Sequence, residues 1–362
     1  MNPAGIMESM PGWARWLRSS INWLLIFVPV SLLAELTHQP LLTFITAALA
    51  IVPLAGLIGR ATDQLAISVG PRLGGLLNAT FGNLTELIVA VMLLAAGNFE
   101  VVKASLIGSI VGNLLLVLGL SLFIGGLGRS EQAFSARAAG IHTASMMLAV
   151  AGLGVPALLV AASPKLSTVN REIVSAGVAA TLMVLYTCAL VFTQFTNAHL
   201  FRTPGTGEEA EWSRRQAMAV LLGAALVVGL ESELLVTALD PALQTVKISP
   251  IFVGLILIPI IGNAAEHASA VFFAIRDKID VTLEIAVGSS TQVALFVAPL
   301  AVFVSLLVGR PMDFVFTGFE IGAVFIATLI IAVISRDGQS NWLEGLQLIC
   351  VYVMIAVAAF FL

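Results

Sequence analysis

Charge and cysteine are both scarce in this sequence. Of its 362 residues, 10% are charged, whereas soluble domains carry about 25%. The two cysteines, Cys188 and Cys350, each lie in an apolar stretch, so neither a disulfide framework nor a thiolate metal cage is expected. The 17 basic residues form no run of the kind that binds phosphate backbones, which excludes nucleic acid as a partner. A chain that is 59% hydrophobic is therefore expected in a lipid bilayer.

Long apolar segments dominate the chain. A helix needs about 20 mostly apolar residues to cross the hydrocarbon core. The sequence predicts an all-α, multi-pass membrane protein with 11 transmembrane helices. Residues 1–20 precede them, with Trp13, Arg15, Trp16 and Arg18 suited to a headgroup layer and no small-residue cleavage site typical of a signal peptide. The predicted spans are 21–37, 41–59, 74–97, 101–127, 137–161, 171–197, 215–239, 248–275, 281–308, 313–335 and 341–362.

The basic residues test this count, because cytoplasmic loops are enriched in Lys and Arg. With a cytoplasmic N-terminus, twelve basic residues fall inside and five outside. The C-terminus is then expected on the opposite side. The five outside are Lys103, Lys165, Arg171, Lys247 and Arg310.

A sequence word recurs at a shift of 180 residues. Gly82-Asn83-Leu84-Thr85-Glu86 aligns with Gly262-Asn263-Ala264-Ala265-Glu266. The shift makes spans two to six one repeat and spans seven to eleven another. Five crossings are an odd number, so the second repeat must be inverted in the membrane. Inverted repeats are typical of secondary transporters, whose site lies near the midplane at the repeat interface.

The domain organisation follows from this duplication. Residues 1–40 hold the amphipathic segment and the extra first helix, and residues 41–197 form the first five-helix repeat. Residues 198–214 are an acidic cytoplasmic linker with Glu208, Glu209 and Glu211. Residues 215–362 form the second, inverted repeat. The linker is interpreted as a solvated loop, with cation sensing or gating as the alternative.

The repeated words hold two carboxylates inside predicted spans. A carboxylate in the bilayer costs at least ~2.5 kcal/mol, so Glu86 and Glu266 are expected to be functional. Each has an Asn three residues earlier, on the same helical face. Gly82 and Gly262 permit a local helix break that frees backbone carbonyls. Further candidate ligands in spans four and nine are Ser109, Asn113, Ser289 and Gln292.

These oxygen-bearing side chains favour a hard cation, and Ca²⁺ is the better fit because it accepts six to eight oxygens at flexible distances. Two ionised carboxylates that lie close together repel one another in a low dielectric, unless a cation or protons are present. Occupancy by one Ca²⁺ or by two protons is then mutually exclusive, which predicts antiport. A third proton on His267 stays an alternative. Helix packing through Gly and Asn is the competing reading of the words, but it leaves both glutamates unexplained.

Other membrane-embedded acids could line an access pathway or gate, or could lie near an interface and extend to it. Glu231 and Glu233 lie in span seven and Glu320 lies in span ten, and Asp63, just beyond span two, is considered with them. His267 is a candidate proton relay, or else a neutral, hydrogen-bonded core histidine.

At these residues the chain resembles the calcium/proton exchanger family of the calcium/cation antiporter superfamily. The most specific parts are the two words, extended by Leu87 and His267, and Gly288-Ser289-Ser290-Thr291-Gln292. The resemblance implies that Glu86 and Glu266 carry the cation and protons, with Asn83, Asn263, Ser109, Ser289 and Gln292 around them. It also implies an acidic segment between the halves. A glutamate often stands near Asp63 in similar proteins, so a gating role for Asp63 is in doubt here.

The expected function is exchange of Ca²⁺ for H⁺, with Na⁺ or K⁺ exchange for H⁺ as the alternative and a channel as a third option. An enzyme is not expected, because the sequence has no His-Glu-x-x-His or Gly-x-Ser-x-Gly motif. Ca²⁺ is cargo, and no cofactor is expected. The expected location is a bacterial inner membrane, with a vacuolar-type membrane as the alternative. The sequence does not decide the oligomeric state, and a homo-oligomer is one option.

Overall fold

The structure, a computed structural model, describes residues 20–197 and 210–362. Most of these residues are helical. Arg15, Arg18, Glu208 and Glu209, for which the sequence predicts roles, lie outside the described residues. Ordered along the chain, the apolar helices are α1 (Asn22–Leu36), α2 (Pro40–Val69), α3 (Leu73–Ala96), α4 (Phe99–Gly126), α5 (Ala136–Ala162), α6 (Thr168–Thr196), α7 (Arg214–Val246), α8 (Pro250–Gly262), α9 (Ala264–Ile275), α10 (Ile279–Leu307), α11 (Gly318–Ile334) and α12 (Trp342–Phe360).

Eight of these helices are long and apolar enough to cross a membrane, among the residues that are described. The pair α8 and α9 makes a ninth span if it is counted as one bent crossing. Helices α1 and α11 are shorter apolar helices. The predicted all-helical membrane fold is confirmed, and the count of eleven spans stays a prediction.

Two helices are longer than the apolar pattern predicts. Helix α2 continues to Val69 instead of ending at residue 59, and α7 continues to Val246 instead of ending at residue 239. Polar residues at the end of α2 bind the chain that precedes α7. Arg60 forms an ion pair with Glu211 (2.7 Å), and Gln64 accepts a hydrogen bond from the backbone N–H of Trp212 (3.0 Å). These partners allow the helix to extend beyond its apolar part.

Polar side chains define where several helices begin. The hydroxyl of Ser135 accepts a hydrogen bond from the N–H of Ala138 at the start of α5, and Ser249 does the same for Phe252 at the start of α8. Thr317 and Glu320 form a reciprocal capping box at the start of α11. Such caps satisfy N–H groups that have no partner within the helix.

The chain forms two compact units. The first contains the described residues of Met1–Thr85 and Thr206–Val246, and the second contains those of Glu86–Gly205 and Lys247–Leu362. In the first unit, α1 and α7 pack against α2. The second unit also holds a short antiparallel pair of strands, β1 (Gln132–Ala133) and β2 (Gln339–Ser340). Glu86, Glu266 and the polar residues of α4 and α10 all lie in this second unit.

Helix α4 lies in the interior of the second unit, and small residues bring its backbone close to α8. A Cβ atom added to Gly108 would collide with the backbone oxygen of Leu255. One added to Gly254 would lie 2.6 Å from Cβ of Ala104. Lipid tails are as apolar as leucine, so close van der Waals contact between helices is a main source of stability in a membrane.

Several helices contain a π-helical turn. In α4 it spans Gly112–Val117, and in α10 such turns span Glu284–Gly288 and Val293–Val297. The first and last of these occupy equivalent positions in the 180-residue frame. Turns of this kind inside α-helices are frequent at functional sites.

We expect Gly108→Ala to lower the free energy of unfolding by ~1–3 kcal/mol, because the added methyl group meets backbone that cannot rotate away. Thermal unfolding of the purified protein in detergent measures this effect. Gly112→Ala is the matched control, since a Cβ atom there meets no described residue within 4 Å. Equal melting temperatures for the two variants would contradict the close contact of α4 with α8.

Candidate cation-binding site

Both repeated words lie where a helix is interrupted. Helical structure stops at Phe81 and resumes at Leu84, and it stops at Gly262 and resumes at Ala264. The bend between α8 and α9 is 62°. The predicted break is therefore a sharp bend at Gly262-Asn263 and only a short interruption inside α3 at Gly82-Asn83.

The break places each glutamate in the first turn of the helix that follows. Glu86 lies in the first turn of Leu84–Ala96, and Glu266 lies in the first turn of Ala264–Ile275. Helix N-termini carry a partial positive charge and N–H groups without intrahelical partners. This position stabilises a carboxylate that would otherwise be costly in the bilayer.

A hydrogen-bond network joins α4, the α8–α9 break and α10. The side-chain amide of Asn263 donates to Oγ of Ser109 and to the backbone oxygen of Pro259, both at 3.1 Å. The hydroxyl of Ser289 donates to Oε2 of Glu266 (3.2 Å) and accepts from the amide of Asn113 (3.4 Å). Three separate helical segments therefore meet at one polar centre inside an apolar unit.

Glu86 belongs to the same centre. Its charge interacts with that of Glu266, and its side chain is in polar contact with Asn263. Gly262 lies against Glu86, because a Cβ atom added to this glycine would be 3.9 Å from Cγ of Glu86. The two glutamates that the sequence singled out are therefore neighbours in space, although 180 residues separate them in the chain.

A small cavity of about 20 Å³ lies beside Glu86. Its polar lining comprises Glu86, Ser105 and Ser109, and Pro259 and Gly262 complete the wall on the α8 side. A cavity of this size accommodates about one water molecule. A single dehydrated ion is of comparable size.

Two buried oxygens at this centre have no hydrogen-bond partner within the described part of the chain. They are Oε1 of Glu86 and Oδ1 of Asn263. Buried oxygen atoms are nearly always satisfied by hydrogen bonds, ordered water or an ion. Both are acceptors, so a bound cation or proton would satisfy them.

The donor set consists of carboxylate, amide and hydroxyl oxygens, which suits a hard cation such as Ca²⁺. The described residues contain no group of three or more His, Cys, Asp or Glu side chains that could hold a metal ion. The remaining ligands of Ca²⁺ would be amide, hydroxyl and backbone oxygens or water. Because the affinity for Ca²⁺ rises with the number of charged ligands, a site with two carboxylates also allows the ion to dissociate.

Other predicted ligands lie near the described centre in sequence. Asn83 is buried, with 3% of its surface exposed, in the break that follows Gly82. Gln292 is half-buried and lies about one turn after Ser289 in α10.

The predicted relay or gate residues occupy different environments. Glu231 is fully buried and accepts a hydrogen bond from the hydroxyl of Ser31 (3.0 Å). Glu233 and Asp63 are exposed. Glu320 is buried and takes part in the capping box of α11 instead of extending to an interface. His267 is half-buried, and its Nε2 atom lacks a hydrogen-bond partner among the described residues.

Sequence reasoning missed a histidine–glutamate pair in the second unit. Nε2 of His142 in α5 lies 2.9 Å from Oε2 of Glu284 in α10. The signal was present, because Glu284 is an acidic residue inside the predicted span 281–308, four residues before Gly288.

Known proteins resemble this chain over most of its length. A model of the family described as "Sodium/calcium exchanger protein" matches residues 39–195 and 216–361. A protein of Synechocystis sp. named Ca(2+)/H(+) antiporter is 44% identical over 93% of this chain and 96% of its own. Another of that name, from Aphanothece halophytica, is 41% identical over 93% of this chain and 95% of its own.

Among solved structures, that of native YfkE superimposes with a TM-score of 0.83 at 37% sequence identity. The match covers 94% of this chain and all of the YfkE chain. The resemblance inferred from the repeated words is confirmed by these comparisons. The chain belongs to the sodium/calcium exchanger protein family.

Proposed function

We propose that this protein is a secondary antiporter that exchanges Ca²⁺ for H⁺ across a membrane by alternating access. The observation that carries the proposal is the pairing of Glu86 with Glu266, together with a cavity of about one ion's volume beside Glu86. Relatives at 41% and 44% identity named Ca(2+)/H(+) antiporter support the same cargo.

Charge balance explains why the two ions exchange. Two ionised carboxylates that share a low-dielectric site repel strongly, so the empty, doubly charged site is costly. One Ca²⁺ or two protons neutralise it equally well. The protein therefore changes its open side with either cargo bound, and the bare site discourages leakage. Exchange of one Ca²⁺ for two H⁺ is electroneutral, and a third proton on His267 would make it electrogenic.

The remaining site residues act as neutral oxygen ligands or hold those ligands in place. Asn263 bridges the broken helix and Ser109, and Ser289 orients the carboxylate of Glu266. Asn113 fixes the hydroxyl of Ser289. Gln292 supplies a further amide oxygen, and Gly82, Asn83 and Gly262 belong to the two helix interruptions.

Two inverted five-helix repeats, residues 41–197 and 215–362, explain how alternating access arises. The repeated words support this division, and so do the π-helical turns Gly112–Val117 and Val293–Val297 at matching positions. A pseudo-two-fold axis in the membrane plane would give the outward and inward states similar structures. The acidic linker, residues 198–214, connects the repeats.

The protein acts in a bacterial inner membrane, with the N-terminus in the cytoplasm and the C-terminus on the opposite side. The twelve-to-five distribution of basic residues supports this orientation. Bacterial relatives named Ca(2+)/H(+) antiporter support the membrane, with a vacuolar-type membrane as the alternative.

Uptake of radioactive Ca²⁺ into proteoliposomes tests the exchange. We expect uptake when the lumen is more acidic than the medium, and we expect Glu86→Gln or Glu266→Gln to lower it by at least about a hundredfold, because each removes an essential charge from a desolvated site. Glu100→Gln, an exposed carboxylate at the start of α4, is the matched control. Uptake that ignores the pH gradient, or that survives both substitutions, would contradict the proposal.

The same vesicles separate the divalent cargo from the monovalent alternative. An excess of Na⁺ or K⁺ should leave Ca²⁺ uptake nearly unchanged, because one monovalent ion neutralises only half of the carboxylate charge. Single-channel currents in a planar bilayer would instead indicate a channel.

We expect Ser289→Ala to weaken the apparent affinity for Ca²⁺ about threefold to tenfold, because Glu266 loses a hydrogen bond to its carboxylate of ~1 kcal/mol. The measurement is the Ca²⁺ concentration for half-maximal uptake. Thr291→Val is the control, since within the described part of the chain this buried hydroxyl bonds to the backbone oxygen of Val287 (2.8 Å) and not to a site residue. An equal effect of the two substitutions would show that Ser289 has no specific role.

A further inference from the structure

A polar row runs along α10 from its first turn to the candidate cation site. Its members are spaced four residues apart, and the side chain of Glu284 lies against Gly288 across a π-helical turn. From the start of the helix, the row consists of Asp280, Glu284, Gly288 and Gln292. Ser289, the partner of Glu266, follows Gly288 directly.

Polar contacts mark the outer end of this row. Asp280 accepts a hydrogen bond from the backbone N–H of Ser135 (2.7 Å), and Arg129 lies 3.8 Å from Asp277. These residues belong to the ends and connections of helices α4, α5, α9 and α10. This end of the second unit is therefore the water-facing end of α10.

Glu284 lies one turn deeper, inside the apolar helix. Its side chain is 58% exposed, whereas that of His142 is 15% exposed. A carboxylate that faces lipid inside a span is costly, so the exposed side of Glu284 indicates contact with water. The exposed side of Glu284 therefore faces water at this depth of α10.

The two carboxylate oxygens of Glu284 have different surroundings. Oε2 lies 2.9 Å from Nε2 of His142. Oε1 lies over Gly288, 3.0 Å from the position that a Cβ atom would occupy. The absence of a side chain at Gly288 lets this oxygen lie close to the helix backbone, one residue before Ser289.

The 180-residue frame shows that Glu284 belongs to one repeat only. Asp280 aligns with the acidic Glu100, and Gly288 aligns with Gly108. The position equivalent to Glu284 is Ala104, which is fully buried and packs close to Gly254. This position therefore holds a carboxylate in one repeated segment and a packed methyl group in the other.

We propose that Glu284 is an outer cation-binding residue, oriented by His142, that receives a divalent cation from water and delivers it to Glu266. This inference rests on the proposed function. The imidazole holds Oε2 in place and leaves Oε1 for the cation. A single carboxylate binds weakly, which suits a residue that must release the ion inward. His142 is a positioning residue, since it acts through Glu284.

The first test compares transport kinetics in proteoliposomes. Glu284→Gln should raise the KM for Ca²⁺ about tenfold, because clefts lined by acidic groups concentrate cations by tenfold or more. The same substitution should leave the maximal rate within about twofold. His142→Ala should raise KM in the same direction, and His142→Gln, which keeps a donor, should restore part of the affinity. Glu100→Gln is the control. An unchanged KM in Glu284→Gln would overturn the inference.

A second test does not depend on transport. Mn²⁺ binding is measured by electron paramagnetic resonance on purified protein with both Glu86→Gln and Glu266→Gln. Weak residual binding should disappear when Glu284→Gln is added and should persist when Glu100→Gln is added instead. Residual binding that survives Glu284→Gln would overturn the inference. If the unsubstituted protein showed no pH-driven Ca²⁺ uptake, the proposed exchange would be refuted. The role of Glu284 in cation binding would still be tested, because Mn²⁺ binding is measured without transport.

Discussion

The repulsion between two carboxylates in a low dielectric is the constraint on which the second unit is built. Glu86 and Glu266 interact electrostatically within a helical unit whose interior is apolar. Neither charge could persist there without a cation, a proton or nearby donors. The helix breaks, the amide and hydroxyl network and the ion-sized cavity all reduce the cost of this pair.

The interruptions of the helices provide backbone groups that an unbroken helix would keep paired within itself. A continuous α-helix pairs its own N–H and C=O groups, and its interior offers little to an ion. At Asn263 the chain leaves helical geometry, and a new helix begins with Glu266 in its first turn. The side chain of Asn263 then bonds to Pro259 across the break and to Ser109 on α4. The same residue therefore repairs the interruption and connects it to the site.

Close packing and polar chemistry alternate along α4. Gly108 brings the backbone of α4 against Leu255, and the next residue, Ser109, receives the amide of Asn263. A bulkier residue at Gly108 would move Ser109 away from its partner. Ala104, also on α4, packs against Gly254 of α8. The residue aligned with it at the 180-residue shift, Glu284, instead contacts His142.

The sequence alone predicted the membrane fold, the repeated words and the two glutamates, because apolar length and intramembrane carboxylates are local signals with few physical explanations. Only the tertiary structure decided which residues meet. The bonds of Asn263 to Ser109 and of Ser289 to Glu266 depend on how separate helices pack. The pairing of Glu284 with His142 has the same origin, since the partners are 142 positions apart and no periodicity links them. The apolar pattern also failed to predict the end of α2, because Arg60 and Gln64 in its last turns bind residues that lie outside this helix.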